Sequence, residues 1–178
     1  MKFTGTKIKD LYVIEPDIII DDRGMFARTY CKKEFAVINF SKEFVQMNFS
    51  FNYKKGTLRG MHYQVHPFEE TKLIRCSSGK CFDIAVDLRK DSETYLQWFG
   101  TELSRKNSKM ILIPEGFAHG FLTLEDNTEL VYHHTEYYTP AADRGIRYDD
   151  SALNIRLPSE VIMISDKDKS YPLINSNQ

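Results

Sequence analysis

The chain has 178 residues, 42% of them hydrophobic and 28% charged, with 24 basic side chains against 25 acidic ones and a formal charge of −1. A chain of this length buries roughly 70% of its unfolded surface and needs no disulfide or metal staple. Such a composition excludes wholesale disorder. The charge balance excludes a nucleic-acid coat or an anionic-membrane binder, though not a few cations gathered around a small anionic ligand.

In chain order, the start (Met1–Lys7) is polar where a secretion signal needs an apolar stretch. No apolar run reaches about 18 residues, so the expected setting is soluble and cytoplasmic. Short or alternating apolar runs predict strands at Leu11–Ile20, Phe44–Phe51, Thr57–Gln64, Lys72–Cys76, Cys81–Leu88, Trp98–Leu103, Lys109–Ile113, Gly120–Leu124 and Thr128–Tyr138. Within Cys81–Leu88, the residues Phe82, Ile84, Val86 and Leu88 alternate with Cys81, Asp83, Ala85 and Asp87, a pattern for a strand with one core face. Helical patterns are few: Lys32–Val37, Glu93–Leu96 and a turn at Asp149–Leu153. Many short strands separated by turn signals predict an all-β sandwich or barrel with a few short helices. No repeat or linker divides residues 1–178, which reads as one domain. The tail from Leu157 to Gln178 is expected to wrap back over the barrel. Cys31, Cys76 and Cys81 are odd in number and lack C-x-x-C spacing, so they read as reduced thiols.

Polar chemistry concentrates in four segments. In Gln46–Gln64, strand alternation puts Arg59 and His62 on opposite faces unless the backbone bulges, and Gly60 offers the place for a bulge. Singly, Arg59 suits a surface and His62 a satisfied core. With Gln46 and Asn48 on the neighbouring strand they form a polar cluster that a ligand would satisfy. Pro114-Glu115-Gly116-Phe117-Ala118-His119 has the Pro-x-Gly-x-x-His spacing and so resembles the second signature of the cupin superfamily, where a tight turn feeds an imidazole into the mouth of a small jelly roll. On a strand through Glu129–Pro140, Tyr132, His134, Glu136 and Tyr138 share one face, a polar stripe that also suits solvent. Ile164-Ser165-Asp166-Lys167-Asp168 in isolation is a charged turn.

Taken together these segments resemble the dTDP-4-dehydrorhamnose 3,5-epimerase family. The blocks that carry the resemblance include Asp22-Arg23-Gly24-Met25-Phe26, Gly56-Thr57-Leu58-Arg59-Gly60-Met61-His62-Tyr63-Gln64, Lys72-Leu73-Ile74-Arg75-Cys76, Pro114-Glu115-Gly116-Phe117-Ala118-His119-Gly120-Phe121 and Ser165-Asp166-Lys167-Asp168. The matching blocks run in the family's order from about residue 10 to residue 172. The resemblance implies a cupin-type jelly roll, a homodimer whose N-terminal strand joins the partner's sheet, and epimerisation of a nucleotide-linked 4-keto-6-deoxyhexose without metal or cofactor. It implies His62 as base, oriented by Asp168 with Asp83 as the alternative carboxylate, Tyr132 as the opposed acid and Lys72 at the enolate oxygen. It further implies Arg23, Arg59 and Lys167, with His119, around the diphosphate and sugar. Tyr138 would stack on the base, with Gln46, Asn48, Phe26 and Asp143 at substrate-contacting positions.

Two positions depart from the family pattern. Arg28 stands where a carboxylate is usual; as a donor only, it would suit the acceptors of cytosine, which keeps a CDP-linked sugar open beside a dTDP-linked one. His133 stands where Lys is common beside the tyrosine. Epimerisation at a single carbon also stays open. The rival readings are a metal-dependent cupin using His62, Glu70 and His119, a ketoisomerase on the same scaffold, and a non-catalytic sugar-binding jelly roll.

Overall fold

A computed structural model describes residues 1–174. Its strands are β1 (Lys2–Gly5), β2 (Tyr12–Glu15), β3 (Ile18–Asp21), β4 (Gly24–Ala27), β5 (Gln46–Asn52), β6 (Thr57–Gln64), β7 (Lys72–Ser78) and β8 (Lys80–Asp87). They continue with β9 (Trp98–Ser104), β10 (Met110–Ile113), β11 (Phe117–Thr123), β12 (Thr128–His134), β13 (Asp143–Gly145) and β14 (Met163–Ile164). Helices are short, α1 (Lys32–Phe35) running into a 3-10 turn at Ala36–Ile38, and α2 (Asp166–Lys169). One six-stranded sheet has the order β1-β2-β10-β7-β12-β5, and a second has β13-β6-β11-β8-β9 with β14 parallel to β6. The two sheets face each other as a jelly roll, and β3–β4 form a separate hairpin.

The core lies between the sheets, where Ile74, Cys76, Leu130 and Ile111 of the first sheet meet Cys81, Ala85 and Phe121 of the second. Each sheet is also covered outside. Phe35, at the end of α1, packs with Ile14, Leu73, Met110 and Leu112 on the first sheet. The segment through Ile146 and Leu153 packs on Met61, Ile84, Val86 and Ala118 of the second. This double cover corrects the one-faced reading of β8. Its Phe82-Ile84-Val86 face is the outer one, and the face holding Asp83 points between the sheets.

Other expectations are corrected locally. The run Leu11–Ile20 is broken at Pro16-Asp17 into β2 and β3, because proline lacks the ladder donor. The run Thr128–Tyr138 ends as a strand at His134, Glu93–Leu96 is a turn, and β11 starts earlier than expected, at Phe117. The tail does wrap back, through β14 on β6 and then α2, although its last four residues lie outside the described ones.

Candidate active site

The β6–β11 pair builds one wall. His119 pairs with His62 and Phe121 with Arg59, so β6 carries one residue more than β11 over that stretch, the bulge that Gly60 allows. Gly60 has φ +115°, and a Cβ there would lie 2.6 Å from Gly120 Cα and 2.7 Å from the His119 carbonyl oxygen. No side chain fits at this position. The bulge turns Arg59 and His62 to the same side, and both line one cavity of about 260 Å³ between the sheets.

His62 Nε2 lies 2.8 Å from Asp168 Oδ1, while Asp168 Oδ2 accepts from the Gly60 N–H at 3.0 Å. Ser165 caps α2 by accepting from the Asp168 N–H, which steadies the carboxylate's approach. The segment expected to be an exposed charged turn therefore buries its second aspartate, only 4% exposed. Burial works to raise the Asp168 carboxyl, but the His62 ring and the Gly60 N–H outweigh it and hold it below its ordinary value. An ionised carboxylate only accepts, so Nε2 of His62 carries a proton toward Asp168, and in the neutral ring the lone pair is at Nδ1. Asp83 is not the partner of His62. It faces His119 Nε2 at 2.9 Å, and burial pushes that imidazole down against the pull of Asp83.

The opposite wall comes from β5, β7 and β12. Tyr132 Oη lies 2.9 Å from Ser50 Oγ, and burial pushes the phenol far up, so it holds its proton throughout the neutral range. Lys72 Nζ lies 3.2 Å from Glu70 Oε1 and 3.4 Å from the His62 carbonyl oxygen. Asn48 and His134 complete this wall. Arg59 donates its Nε to Asn52 Oδ1 at 2.7 Å, and its terminal nitrogens make no hydrogen bond to the described residues.

At the rim, Gln46 Oε1 accepts from the Tyr138 N–H at 3.1 Å, and Tyr138 Oη and Lys167 Nζ converge on Asp143 Oδ2 at 3.3 and 2.6 Å. Tyr138 thus reaches the site from a loop, because the strand stripe stops at His134. Arg23, Phe26 and Arg28 are not brought to the cavity of their own chain. Arg23 pairs with Asp21, Arg28 with Glu34, and Phe26 is 70% exposed on the hairpin. His133 points away from the cavity, against Phe44. Sequence reasoning missed Ser50 and Asn52 as site residues, although they continue the period-two polar face of Gln46 and Asn48. Glu70 and His134 it named only as a possible metal ligand and as part of a polar stripe. His62, Glu70 and His119 do not converge: each is engaged by a different partner, and no three potential ligands cluster among the described residues.

A jelly roll whose cavity sets a carboxylate-oriented imidazole on one sheet against a protonated phenol on the other is a cupin-type scaffold equipped for proton transfer at carbon. The family model described as dTDP-4-dehydrorhamnose 3,5-epimerase matches residues 5–176. A relative of that name from Shigella flexneri is 43% identical over 169 residues, covering 94% of this chain and 93% of its own. The crystal structure of the Bacillus anthracis dTDP-4-dehydrorhamnose 3,5-epimerase with TDP and PPi bound has a TM-score of 0.94 at 42% identity, covering 97% of this chain and 99% of that one. A Legionella pneumophila dTDP-6-deoxy-D-glucose-3,5-epimerase in complex with dTDP-4-keto-L-rhamnose has a TM-score of 0.94 at 38% identity, covering 99% of this chain and 94% of that one. This chain belongs to the dTDP-4-dehydrorhamnose 3,5-epimerase family and is an isomerase acting on a nucleotide-linked carbohydrate.

Proposed function

We propose that the chain inverts C3 and C5 of a nucleotide-diphospho-4-keto-6-deoxyhexose, with the dTDP-linked sugar as its substrate. The observation that carries this reading is that His62 and Tyr132 stand on facing sheets and line one cavity. A C4 ketone acidifies the hydrogens on C3 and C5, and inversion needs a base on one face of the ring and an acid on the other. His62 Nδ1 takes the proton, the C–H electron pair moves onto the ketone oxygen, and the Lys72 ammonium stabilises the resulting enolate. The Tyr132 phenol then returns a proton to the opposite face. Exchange with water removes the proton from the His62 imidazolium and refills the phenolate, with Ser50 as the hydroxyl nearest the phenol.

A cavity of about 260 Å³ suits the sugar rather than the whole nucleotide sugar. The diphosphate then meets the free end of Arg59, and the base lies toward Gln46, Tyr138, Asp143 and Lys167. A second copy of the chain completes the site. On β5 the polar residues face the cavity and Met47, Phe49 and Phe51 face outward, with Phe49 71% exposed on an edge strand. The β3–β4 hairpin likewise exposes Ile19, Ile20 and Phe26, with Ile20 at 78%. Two such surfaces on one chain support a homodimer in which the hairpin brings Arg23, Phe26 and Arg28 to its partner's rim. A cytoplasmic setting is supported by three free thiols. No helix among the described residues is long and apolar enough to cross a membrane.

The test is proton NMR in deuterated water with dTDP- and CDP-linked 4-keto-6-deoxyglucose side by side. Deuterium at C3 and C5 and a rhamno product from the dTDP sugar are expected. Absence of exchange at either carbon overturns the reading, and preference for the CDP sugar overturns the nucleotide assignment.

A further inference from the structure

One buried group, behind the cavity residues Lys72 and His134, has no part in the proton transfers described above. Glu70, between β6 and β7, forms an ion pair through Oε1 with Lys72 Nζ at 3.2 Å and accepts a hydrogen bond on Oε2 from His134 Nδ1 at 2.6 Å. The side chains of all three are 90% or more buried. Burial works to raise the Glu70 carboxyl, but His134 and Lys72 outweigh it and keep it below its ordinary value. An ionised carboxylate only accepts, which sets the direction of everything attached to it. His134 donates from Nδ1, and in the neutral ring its Nε2 accepts from Asn48 Nδ2 at 3.3 Å. Asn48 Oδ1 in turn accepts from Gln46 Nε2 at 3.4 Å, and Gln46 Oε1 accepts from the Tyr138 N–H at 3.1 Å. The result is one hydrogen-bond chain of uniform polarity, running from the rim residue Tyr138 through Gln46, Asn48 and His134 to Glu70, where Lys72 also ends. The His134 ring lies nearly parallel to that of Tyr132, with centroids 6.1 Å apart, so the relay also borders the acid.

We propose that Glu70 and His134 are positioning residues of this site: Glu70 anchors the Lys72 ammonium where the enolate oxygen forms, and His134 fixes both the Glu70 carboxylate and the amide orientation of Asn48. The proposal rests on the reading of Lys72 as the enolate stabiliser. A buried ammonium without its carboxylate is costly and swings toward whatever acceptor it finds, so loss of Glu70 acts on the transition state more than on ground-state binding. The same logic makes His134 replaceable by a side chain that keeps the Nδ1-side donor.

The experiment compares Glu70→Gln, His134→Leu and His134→Asn with the unaltered chain, measuring kcat, KM and deuterium entry at C3 on the dTDP-linked 4-keto sugar, with melting temperatures alongside. Asparagine places an amide N–H where the imidazole Nδ1–H stood. Glu70→Gln and His134→Leu are expected to lose kcat by roughly tenfold to a hundredfold, the scale of one hydrogen bond to a charged group, with KM little changed. His134→Asn is expected to recover most of the loss. Unchanged kcat in Glu70→Gln, equal defects in His134→Leu and His134→Asn, or losses that track the melting temperature would overturn the proposal. Should Glu70→Gln fail to fold, the His134 pair decides alone. An unaltered chain that exchanges no deuterium removes the underlying reading as well, an outcome distinct from an active enzyme indifferent to both residues.

Discussion

Replacing Asp168 with asparagine tests the dyad with almost no change of shape. The amide oxygen can still accept from the Gly60 N–H, now served at 3.0 Å by the carboxylate, which leaves the amide NH2 against His62 Nε2. Two losses follow. The imidazolium formed on proton abstraction loses a charge-assisted hydrogen bond of about 1.5–3 kcal/mol, a factor of roughly 10 to 150. The His62 side chain is 37% exposed, so screening by solvent favours the lower half of that range. In addition, an NH2 facing Nε2 drives the ring proton to Nδ1, the nitrogen required as base. A carboxylate-to-amide change behind a catalytic histidine costs about 10⁴ in other enzymes, and a fall of about 10³ to 10⁴ in kcat is expected here. Deuterium entry at C3, followed by NMR in single-turnover conditions, measures it, and calorimetric titration with dTDP should show binding preserved. The fold should also lose part of its acid sensitivity. The Asp168 carboxyl lies below 3.8 in the folded chain, so its stabilisation is complete above that value and vanishes as pH falls through the lowered one. An asparagine variant within tenfold of the unaltered rate would refute the role given to Asp168.

Tyr132→Phe removes the proposed acid and leaves the proposed base, so deuterium should still enter at C3 while epimer formation drops roughly 10²- to 10⁴-fold; unimpaired product formation in an NMR time course would exclude the phenol. Gly60→Ala forces a Cβ into Gly120 and the His119 carbonyl at positive φ, and should cost about 3 kcal/mol in urea unfolding. Ile20→Asp puts a charge on the exposed hairpin and should shift sedimentation from dimer to monomer with loss of turnover, while the circular dichroism spectrum of the β fold is kept. A monomeric unaltered chain of full activity would contradict the shared site.

Much of the jelly roll was legible because its strands announce themselves locally. Thr57–Gln64 has the bounds expected from its turn signals, and Gly60 inside it marked the bulge that gathers Arg59 and His62. Reading β8 by alternation alone went wrong because two apolar covers compete for one strand, and only tertiary packing decides which face looks inward. The partner of His62 was suggested by resemblance, not by pattern, since Asp168 is 106 residues away and looks like a solvated turn. Asn52 and Ser50 were legible in the period of β5 but not separable from a solvated edge. His134 was legible as polar, but its role depends on Glu70, which reaches it from a loop 64 residues earlier.

The parallel pairing of β14 with β6 sets the strand that carries His62 beside a segment far along the chain, immediately before Ser165 and α2. The place of the Asp168 carboxylate behind His62 is thereby tied to the seating of α2 against β6.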